Sequence, residues 1–210
     1  MNEIRIENFL YPYVRFVNAC PGIAGADFYW GNTLSAPNLG FGCFSRYVQI
    51  KKGMQEFVVT EAGNKDKVLA RINLPFGQGE VYTVALAHSD GGAMAYGITE
   101  PLTRTDTDYG HIRICHLSPN LGGLDISANE YDILNGIDYL EISRYICMSP
   151  DCYEFRARQN SDSVLKLVMP NQNINAGKYN TLYIIGLSNE TPELMGILTV
   201  DAASYTGYYL

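Results

Sequence analysis

The strongest constraint on the fold is an internal repeat with a constant spacing of 98 residues. Ser-Arg-Tyr occurs at residues 45–47 and again at 143–145, each time followed by a β-branched residue. An ungapped comparison of residues 14–83 with the segment one spacing later gives 13 identities, where unrelated segments of average composition would give about 4. Because chance matches do not share one register, the chain contains the same unit twice. A unit of this length is a domain and not a solenoid repeat.

The repeat predicts how the 210 residues are divided. We expect an N-terminal arm at 1–12, a first repeat at 13–100, a second repeat at 111–200 and a C-terminal tail at 201–210. The polar segment 99–110, TEPLTRTDTDYG, is typical of a linker between domains.

Each repeat has the sequence pattern of an all-β domain. Tyrosines number 16, β-branched residues are plentiful, and helical periodicity is scarce. Short apolar segments are separated by Gly, Pro, Asn or Asp, which is typical of strands joined by turns. The pattern predicts strands at 13–18, 26–30, 44–50, 55–61, 66–73, 80–88 and 93–98, and at 111–116, 124–128, 142–148, 153–159, 164–169, 179–187 and 194–200. Seven strands in about 100 residues predict two tandem immunoglobulin-like antiparallel β-sandwich domains.

The Ser-Arg-Tyr triplets fall within the strands predicted at 44–50 and 142–148. We expect Tyr47 and Tyr145 to lie against a sheet margin or a loop with their hydroxyls hydrogen-bonded, because buried tyrosine hydroxyls usually find a partner. Each of these strands is followed by a short turn, Lys-Lys-Gly or Ser-Pro-Asp, and is therefore predicted to form a hairpin with the next strand.

Several short motifs of the repeat resemble one bacterial family. The first repeat contains YVRFVNACP at 13–21, ADFY at 26–29 and LGFG at 39–42, followed by SRYV. The second repeat contains HIRICHLSP at 111–119 and LDI at 124–126. These motifs resemble the bacterial domain of unknown function 4397 (DUF4397), in two tandem copies. The resemblance implies β-sandwich modules of bacterial surfaces or exported proteins, and it implies no catalytic residues.

The net charge of −7 argues against nucleic acid as a partner, since phosphate binding needs a basic patch. No apolar run reaches 18 residues, which predicts no membrane insertion. Glu3, Arg5 and Glu7 occupy the place of the apolar stretch of a signal peptide. We therefore expect cytoplasmic synthesis without standard secretion, and a final location at the cell surface or the spore surface.

The five cysteines form no Cys-x-x-Cys pair, which removes the zinc-ribbon and thioredoxin-like interpretations. Cys147 and Cys152 flank the predicted Ser-Pro-Asp hairpin turn, where opposed side chains come within bonding range. Two alternatives stay open for this pair: a disulfide or two free thiols. Cys115 occupies a position that is apolar in the first repeat, so we expect a buried thiol.

No arrangement of residues predicts catalysis or a cofactor, and we expect neither a cofactor nor a bound metal. His111 and His116 are five apart on a strand, so their side chains point to opposite faces and cannot share a metal. His116 is expected to bond to the following loop. Its near neighbour Ser118 lacks the geometry of a nucleophile and its base. Asp27 and Asp125 recur in both repeats, but they lack the neighbouring oxygen ligands that calcium requires.

The two ends of the chain carry apolar residues outside the repeats. Apolar, strand-compatible ends can fold back onto their own domain or add to the open sheet edge of a neighbouring molecule. The residues that would make such assembly contacts are Ile4, Ile6, Phe9, Tyr205, Tyr208 and Tyr209.

These patterns favour a non-enzymatic structural or interaction protein of a bacterial surface layer, such as a self-assembling spore-coat or appendage subunit. Its partners would be further copies of itself or other surface proteins. The alternative is a surface module that binds carbohydrate or a host ligand. That alternative requires an accessible Trp30 and tyrosine platforms.

Overall fold

The computed structural model describes residues 11–102 and 107–205. These residues form two compact units, unit 1 at 11–102 and unit 2 at 107–204. Each unit consists of eight strands in two four-stranded sheets. The all-β prediction of two tandem β-sandwich domains is therefore confirmed.

Unit 1 contains the strands β1 (Tyr13–Asn18), β2 (Gly25–Trp30), β3 (Thr33–Gly40), β4 (Val48–Gln49), β5 (Gly53–Glu61), β6 (Asn64–Phe76), β7 (Val81–Ser89) and β8 (Gly92–Thr99). We call β4-β1-β7-β8 the first sheet and β3-β2-β5-β6 the second sheet. Neighbouring strands are antiparallel, except that β1 and β7 run parallel.

Unit 2 repeats this order with β9 (Gly110–His116), β10 (Leu124–Ala128), β11 (Tyr131–Ile137), β12 (Ile146–Met148), β13 (Asp151–Gln159), β14 (Leu165–Ile174), β15 (Tyr179–Ile185) and β16 (Met195–Val200), followed by a 3₁₀ helix at Ala202–Tyr205. Its first sheet is β12-β9-β15-β16 and its second sheet is β11-β10-β13-β14. The parallel pair recurs between β9 and β15. The two repeats therefore share one strand connectivity.

The two sheets of each unit pack face to face around an apolar core. In unit 1 the Phe16 ring of the first sheet lies 5.1 Å from the Phe28 ring and 5.8 Å from the Phe57 ring of the second sheet, measured between centroids. Ile114 and Phe155 occupy the positions of Phe16 and Phe57 in unit 2, and both are buried in its core. Aromatic and branched residues at alternate strand positions thus supply the buried face of each sheet.

One strand of each unit was not predicted. β3 and β11 are edge strands of the second sheets and carry turn-like residues, Pro37 in β3 and Asn135-Gly136 in β11. An edge strand tolerates proline because one side of its backbone has no partner strand. Register shifts in both pairings mark bulges, and Gly136 has a positive φ of 71°. The turn residues therefore mark bulged edge strands and not loops.

The predicted hairpins after the Ser-Arg-Tyr triplets are wrong. β4 belongs to the first sheet and β5 to the second, so the Lys-Lys-Gly turn crosses from one sheet to the other. The same crossing separates β12 from β13 in unit 2. Only residues 48–49 and 146–148 of the predicted strands form a regular ladder, and the triplets precede them.

The end of unit 2 lies further along the chain than β16. Asp201, Ala202 and Ala203 are fully buried, and Ser204 is 8% exposed. The hydroxyl of Ser204 accepts a hydrogen bond from the backbone N–H of Tyr179 at 2.7 Å. The packed part of unit 2 therefore includes the first residues of the segment predicted as a tail.

Candidate functional site

A buried group of polar side chains lies on the first sheet of unit 1, on the face turned away from the core. Arg15 in β1 donates from Nε to Thr83 Oγ1 in β7 at 2.8 Å. The same nitrogen lies 3.1 Å from Glu100 Oε1, immediately after β8. The hydroxyl of Thr83 donates to this carboxylate oxygen. All three residues are buried, so the charges of Arg15 and Glu100 compensate each other out of contact with water.

The Ser-Arg-Tyr segment completes this group, which we call the buried ion cluster. Tyr47 donates from its hydroxyl to Glu100 Oε2 at 2.5 Å, and its ring lies 4.9 Å from Arg15 Cζ. Ser45 holds the segment against β1, since its Oγ accepts from the Phe16 N–H at 2.8 Å and its own N–H donates to the Phe16 carbonyl at 2.9 Å. The prediction of a hydrogen-bonded tyrosine hydroxyl is confirmed. These contacts explain why the serine and the tyrosine of the Ser-Arg-Tyr triplet are repeated.

Unit 2 contains the same buried ion cluster. Arg113 Nε donates to Thr181 Oγ1 at 2.8 Å and lies 3.4 Å from Asp201 Oδ2. Thr181 and Tyr145 donate to Asp201 Oδ2 at 2.5 and 2.6 Å, and the Tyr145 ring lies 4.9 Å from Arg113 Cζ. Ser143 accepts the backbone N–H of β9 just as Ser45 accepts that of β1. The repetition indicates a role in holding the fold, common to both units.

The carboxylates of the two clusters, Glu100 and Asp201, were not predicted from the sequence. Arg15 and Thr83 are spaced from their counterparts by the constant repeat spacing, but Glu100 and Asp201 are three residues out of that register. The connection from β15 to β16 is longer than the turn from β7 to β8, which accounts for the shift. The signal that could have found them is positional, because each carboxylate directly follows the last strand of its unit.

His116 is bonded to the loop that follows β9, as predicted. Its Nδ1 accepts from the Ser118 backbone N–H at 3.3 Å, and its Nε2 lies 3.2 Å from the Gly122 carbonyl. This pattern requires the neutral tautomer with the proton on Nε2. Burial lowers the pKa of His116 below its usual value. Both ring nitrogens are used in structural bonds, and the Ser118 hydroxyl is not bonded to the imidazole.

Asn18 performs the same task in unit 1. Its Oδ1 accepts from the Cys20 N–H at 3.2 Å, and its Nδ2 donates to the Ile23 and Leu39 carbonyls at 2.9 and 3.1 Å. The Asn18 amide and the neutral His116 imidazole thus hold the corresponding loops of the two units through equivalent hydrogen bonds. This equivalence argues that His116 has a structural role.

The repeated aspartates fix backbone bulges. Asp27 accepts from the Asn38 N–H at 2.6 Å and from the Gly63 N–H at 2.9 Å, and Asp125 accepts from the Gly136 N–H at 2.8 Å. Asn38 and Gly136 both have positive φ, at 44° and 71°. Each aspartate therefore stabilises the irregular backbone of its neighbouring edge strand. Among residues 11–102 and 107–205, no three His, Cys, Asp or Glu side chains converge to hold a metal ion.

The cysteines of the described chain are free thiols. Cys147 pairs with His111 in the first sheet of unit 2, whereas Cys152 pairs with Asn173 in the second sheet. A disulfide would require Cys147 and Cys152 to face each other across a hairpin. The turn between them instead crosses from the first sheet to the second, so the two cysteines do not lie on paired strands. Cys115 is buried as expected, and burial raises its pKa to about 12.

Of the predicted assembly contacts, five lie outside the described residues: Ile4, Ile6, Phe9, Tyr208 and Tyr209. Tyr205 ends the 3₁₀ helix and is 36% exposed. A role of these residues in assembly stays a prediction. No helix in the described part of the chain is long and apolar enough to cross a bilayer.

A cleft of about 350 Å³ opens on unit 1 around the single tryptophan of the chain. Its lining residues are Tyr11, Trp30, Gln49, Ile50, Lys51 and Lys52. Trp30 donates from its indole N–H to Gln55 Oε1 at 2.8 Å, which fixes the ring. We call this feature the Trp30 cleft.

One family model matches the chain, described as Domain of unknown function (DUF4397), over residues 12–127 and 110–206. The two overlapping matches cover both repeats and agree with two tandem copies. No curated protein matches this sequence.

Several solved structures are similar to most of the chain at low sequence identity, and two of them are the following. A family 26 carbohydrate-binding module of Eubacterium rectale Amy13K, in complex with maltoheptaose, is 10% identical, covers 92% of this chain and 99% of its own, and has a TM-score of 0.27. A candidate cell adhesion protein of Bacteroides ovatus is 10% identical, covers 90% of this chain and 95% of its own, and has a TM-score of 0.32.

Removing the tyrosine hydroxyl should destabilise each unit. We expect Tyr47→Phe and Tyr145→Phe each to lower the free energy of unfolding by about 1.5–3 kcal/mol, because a buried carboxylate loses a charge-assisted donor. Tyr131→Phe is the matched control, since Tyr131 is 79% exposed and should change stability little. Urea unfolding measures all three variants. Equal stabilities for the three would contradict the structural role of the cluster.

Replacing His116 by the residue used in unit 1 should remove a pH dependence. The folded pKa of His116 is lowered, so below the unfolded value of 6.5 the unfolded chain binds a proton that the folded chain does not. Stability of the natural protein should therefore fall relative to His116→Asn by up to about 1.4 kcal/mol per pH unit as pH drops below 6.5. Urea unfolding of both proteins across this range tests it. Parallel pH profiles would show that His116 does not titrate on unfolding.

Proposed function

Because this chain belongs to the DUF4397 family and carries its domain twice, we propose that it is a non-catalytic structural or interaction protein of a bacterial surface layer. The finer form of the proposal is a subunit that assembles with copies of itself, as in a coat or an appendage. Each of the two sandwiches has open sheet edges that are available for contact with another molecule.

The bonding of the buried carboxylates and of His116 supports a non-catalytic role. Glu100 and Asp201 lie in the buried ion clusters, paired with Arg15 and Arg113, and His116 holds a loop with both ring nitrogens. Catalysis needs such groups within reach of a substrate. In this protein their hydrogen bonds and ion pairs are made within each unit.

The observation that carries the proposal is the position of exposed apolar side chains on edge strands. In both units the second sheet places large apolar residues on its two outer strands, where backbone groups are also open for pairing. These residues are Leu34 on β3 and Val68 on β6 in unit 1, and Tyr131 on β11 with Leu165 and Val168 on β14 in unit 2. β6 also carries exposed charged residues such as Lys65 and Lys67, and β3 carries Pro37, features that discourage edge pairing. Exposed apolar residues nevertheless recur on the outer strands of both units, and this recurrence supports pairing with another molecule.

Adding a charge to these edges should weaken self-assembly. We expect Leu34→Lys and Val68→Lys each to raise the concentration needed for assembly at least about tenfold, through like-charge repulsion and loss of apolar contact. Met54→Lys is the matched control, because Met54 is 66% exposed on β5, a central strand of the same sheet. Sedimentation over a concentration series, with electron microscopy of the products, measures the effect. A natural protein that stays monomeric at high concentration would overturn the assembly proposal.

Trimming the chain ends tests the predicted assembly contacts. Deleting residues 1–10 or 206–210 should lower assembly and leave the unfolding free energy of the units unchanged. The C-terminal deletion must keep Asp201 through Ser204, because these residues are buried in unit 2. A chain ending at 200 is the control and should lose the cooperative unfolding of unit 2. If both trimmed chains assemble as the natural chain does, the ends of the chain make no assembly contact.

A second candidate function is a module that binds a glycan or another surface ligand. The Trp30 cleft favours it, because a fixed aromatic ring beside polar side chains is a common arrangement in ligand sites. The two functions are compatible, since the cleft contains residues of neither edge strand of the second sheet.

A further inference from the structure

The Trp30 cleft combines an aromatic platform fixed by a hydrogen bond with two exposed lysines. Trp30 at the end of β2 packs partly against the core of unit 1, and its indole N–H is held by Gln55. Ile50 is 3% exposed and closes the cleft on its buried side. Tyr11 is 46% exposed and adds a second aromatic ring. A cleft of this kind provides flat apolar contact without the entropy cost of ordering its main platform.

The charge of the cleft is opposite to that of the chain. The protein carries a net charge of −7, yet Lys51 and Lys52 line the cleft and none of its six lining residues is acidic. A local cationic site on an anionic protein attracts anions and repels cations at short range. Gln49 adds an amide that can both donate and accept hydrogen bonds.

The fold does not require these residues. Unit 2 forms the same sandwich with Ala128 at the position of Trp30, and with Ser149 and Pro150 at the positions of the two lysines. Ala128 is 3% exposed, so unit 2 fills this site with core packing and has no matching platform. The aromatic and cationic residues of the cleft are therefore specific to unit 1 and are not part of the architecture that the two units share.

We infer that the Trp30 cleft binds an anionic sugar, with a uronic acid ring as the chemical class. The C–H face of the ring packs on the Trp30 indole, the carboxylate pairs with Lys51 or Lys52, and Gln49 meets a hydroxyl. This inference rests on the glycan-binding candidate above and gives it a site and a ligand class. It is independent of self-assembly.

The single tryptophan makes the test direct, because all indole emission of the full chain comes from the cleft. The probes are an oligogalacturonate and, as a neutral comparison, a maltooligosaccharide of the same length. We expect saturable change in Trp30 emission with the oligogalacturonate, roughly tenfold weaker binding of the neutral sugar, and weaker anion binding at high salt. Lys51→Ser/Lys52→Ser should lose at least about tenfold in affinity for the anion and bind both sugars alike.

Lys65→Ala/Lys67→Ala is the matched control, since it removes two exposed lysines of unit 1 outside the cleft. It should bind the oligogalacturonate as the natural chain does. Trp30→Ala, which copies the residue of unit 2, should show no heat of binding by calorimetry while keeping its unfolding transition. No emission change with either sugar, equal affinity for both sugars, or unchanged binding after loss of Lys51 and Lys52 would each overturn the inference. None of those results bears on assembly through the sheet edges, which the sedimentation series tests separately.

Discussion

The structure of each unit depends on one buried pair of opposite charges. An arginine in the first strand meets a carboxylate just after the last strand, and a threonine and a tyrosine complete the hydrogen bonds of that carboxylate. A buried charge without its partner is strongly unfavourable, so the pair specifies which strands must come together. It connects the two ends of each sandwich to the parallel strand pair and to the Ser-Arg-Tyr segment. Ser45 and Tyr47, with Ser143 and Tyr145 in unit 2, are therefore explained by their roles in folding.

The same constraint positions the surfaces on which the functional proposals rest. Tyr47 anchors the segment that runs into β4, and Ile50 then donates its N–H to the Pro12 carbonyl at 3.0 Å. The chain next passes Lys51 and Lys52 and crosses to the second sheet at β5. The Trp30 cleft thus lies beside a crossing that the buried ion cluster holds in place. Unit 2 has the same crossing, with Ala128 at the position of Trp30.

The repeat predicts much of the fold, and each incorrect or absent prediction has a physical cause. Constant spacing and strand-like segments predicted two β-sandwiches, and the apolar alternation located the central strands. The edge strands β3 and β11 were missed because bulges allow proline and Asn-Gly within a strand. Glu100 and Asp201 were missed because a longer connection shifts the second out of register. The crossing turns were misread as hairpins, since a turn sequence does not specify which sheet the next strand joins. The Trp30 cleft needs residues from three separate segments, which no local pattern brings together.

A double-mutant cycle on Arg15 and Glu100, measured by urea unfolding, tests the central claim most directly. Removing only one partner, with Arg15→Met or Glu100→Leu, should cost about 3–5 kcal/mol because the other charge stays buried without compensation. The double variant should recover a large part of that loss, giving a coupling energy of about 2 kcal/mol or more, and the cycle on Arg113 and Asp201 should give a similar value. Additive losses, with coupling below about 0.5 kcal/mol in both units, would contradict the account.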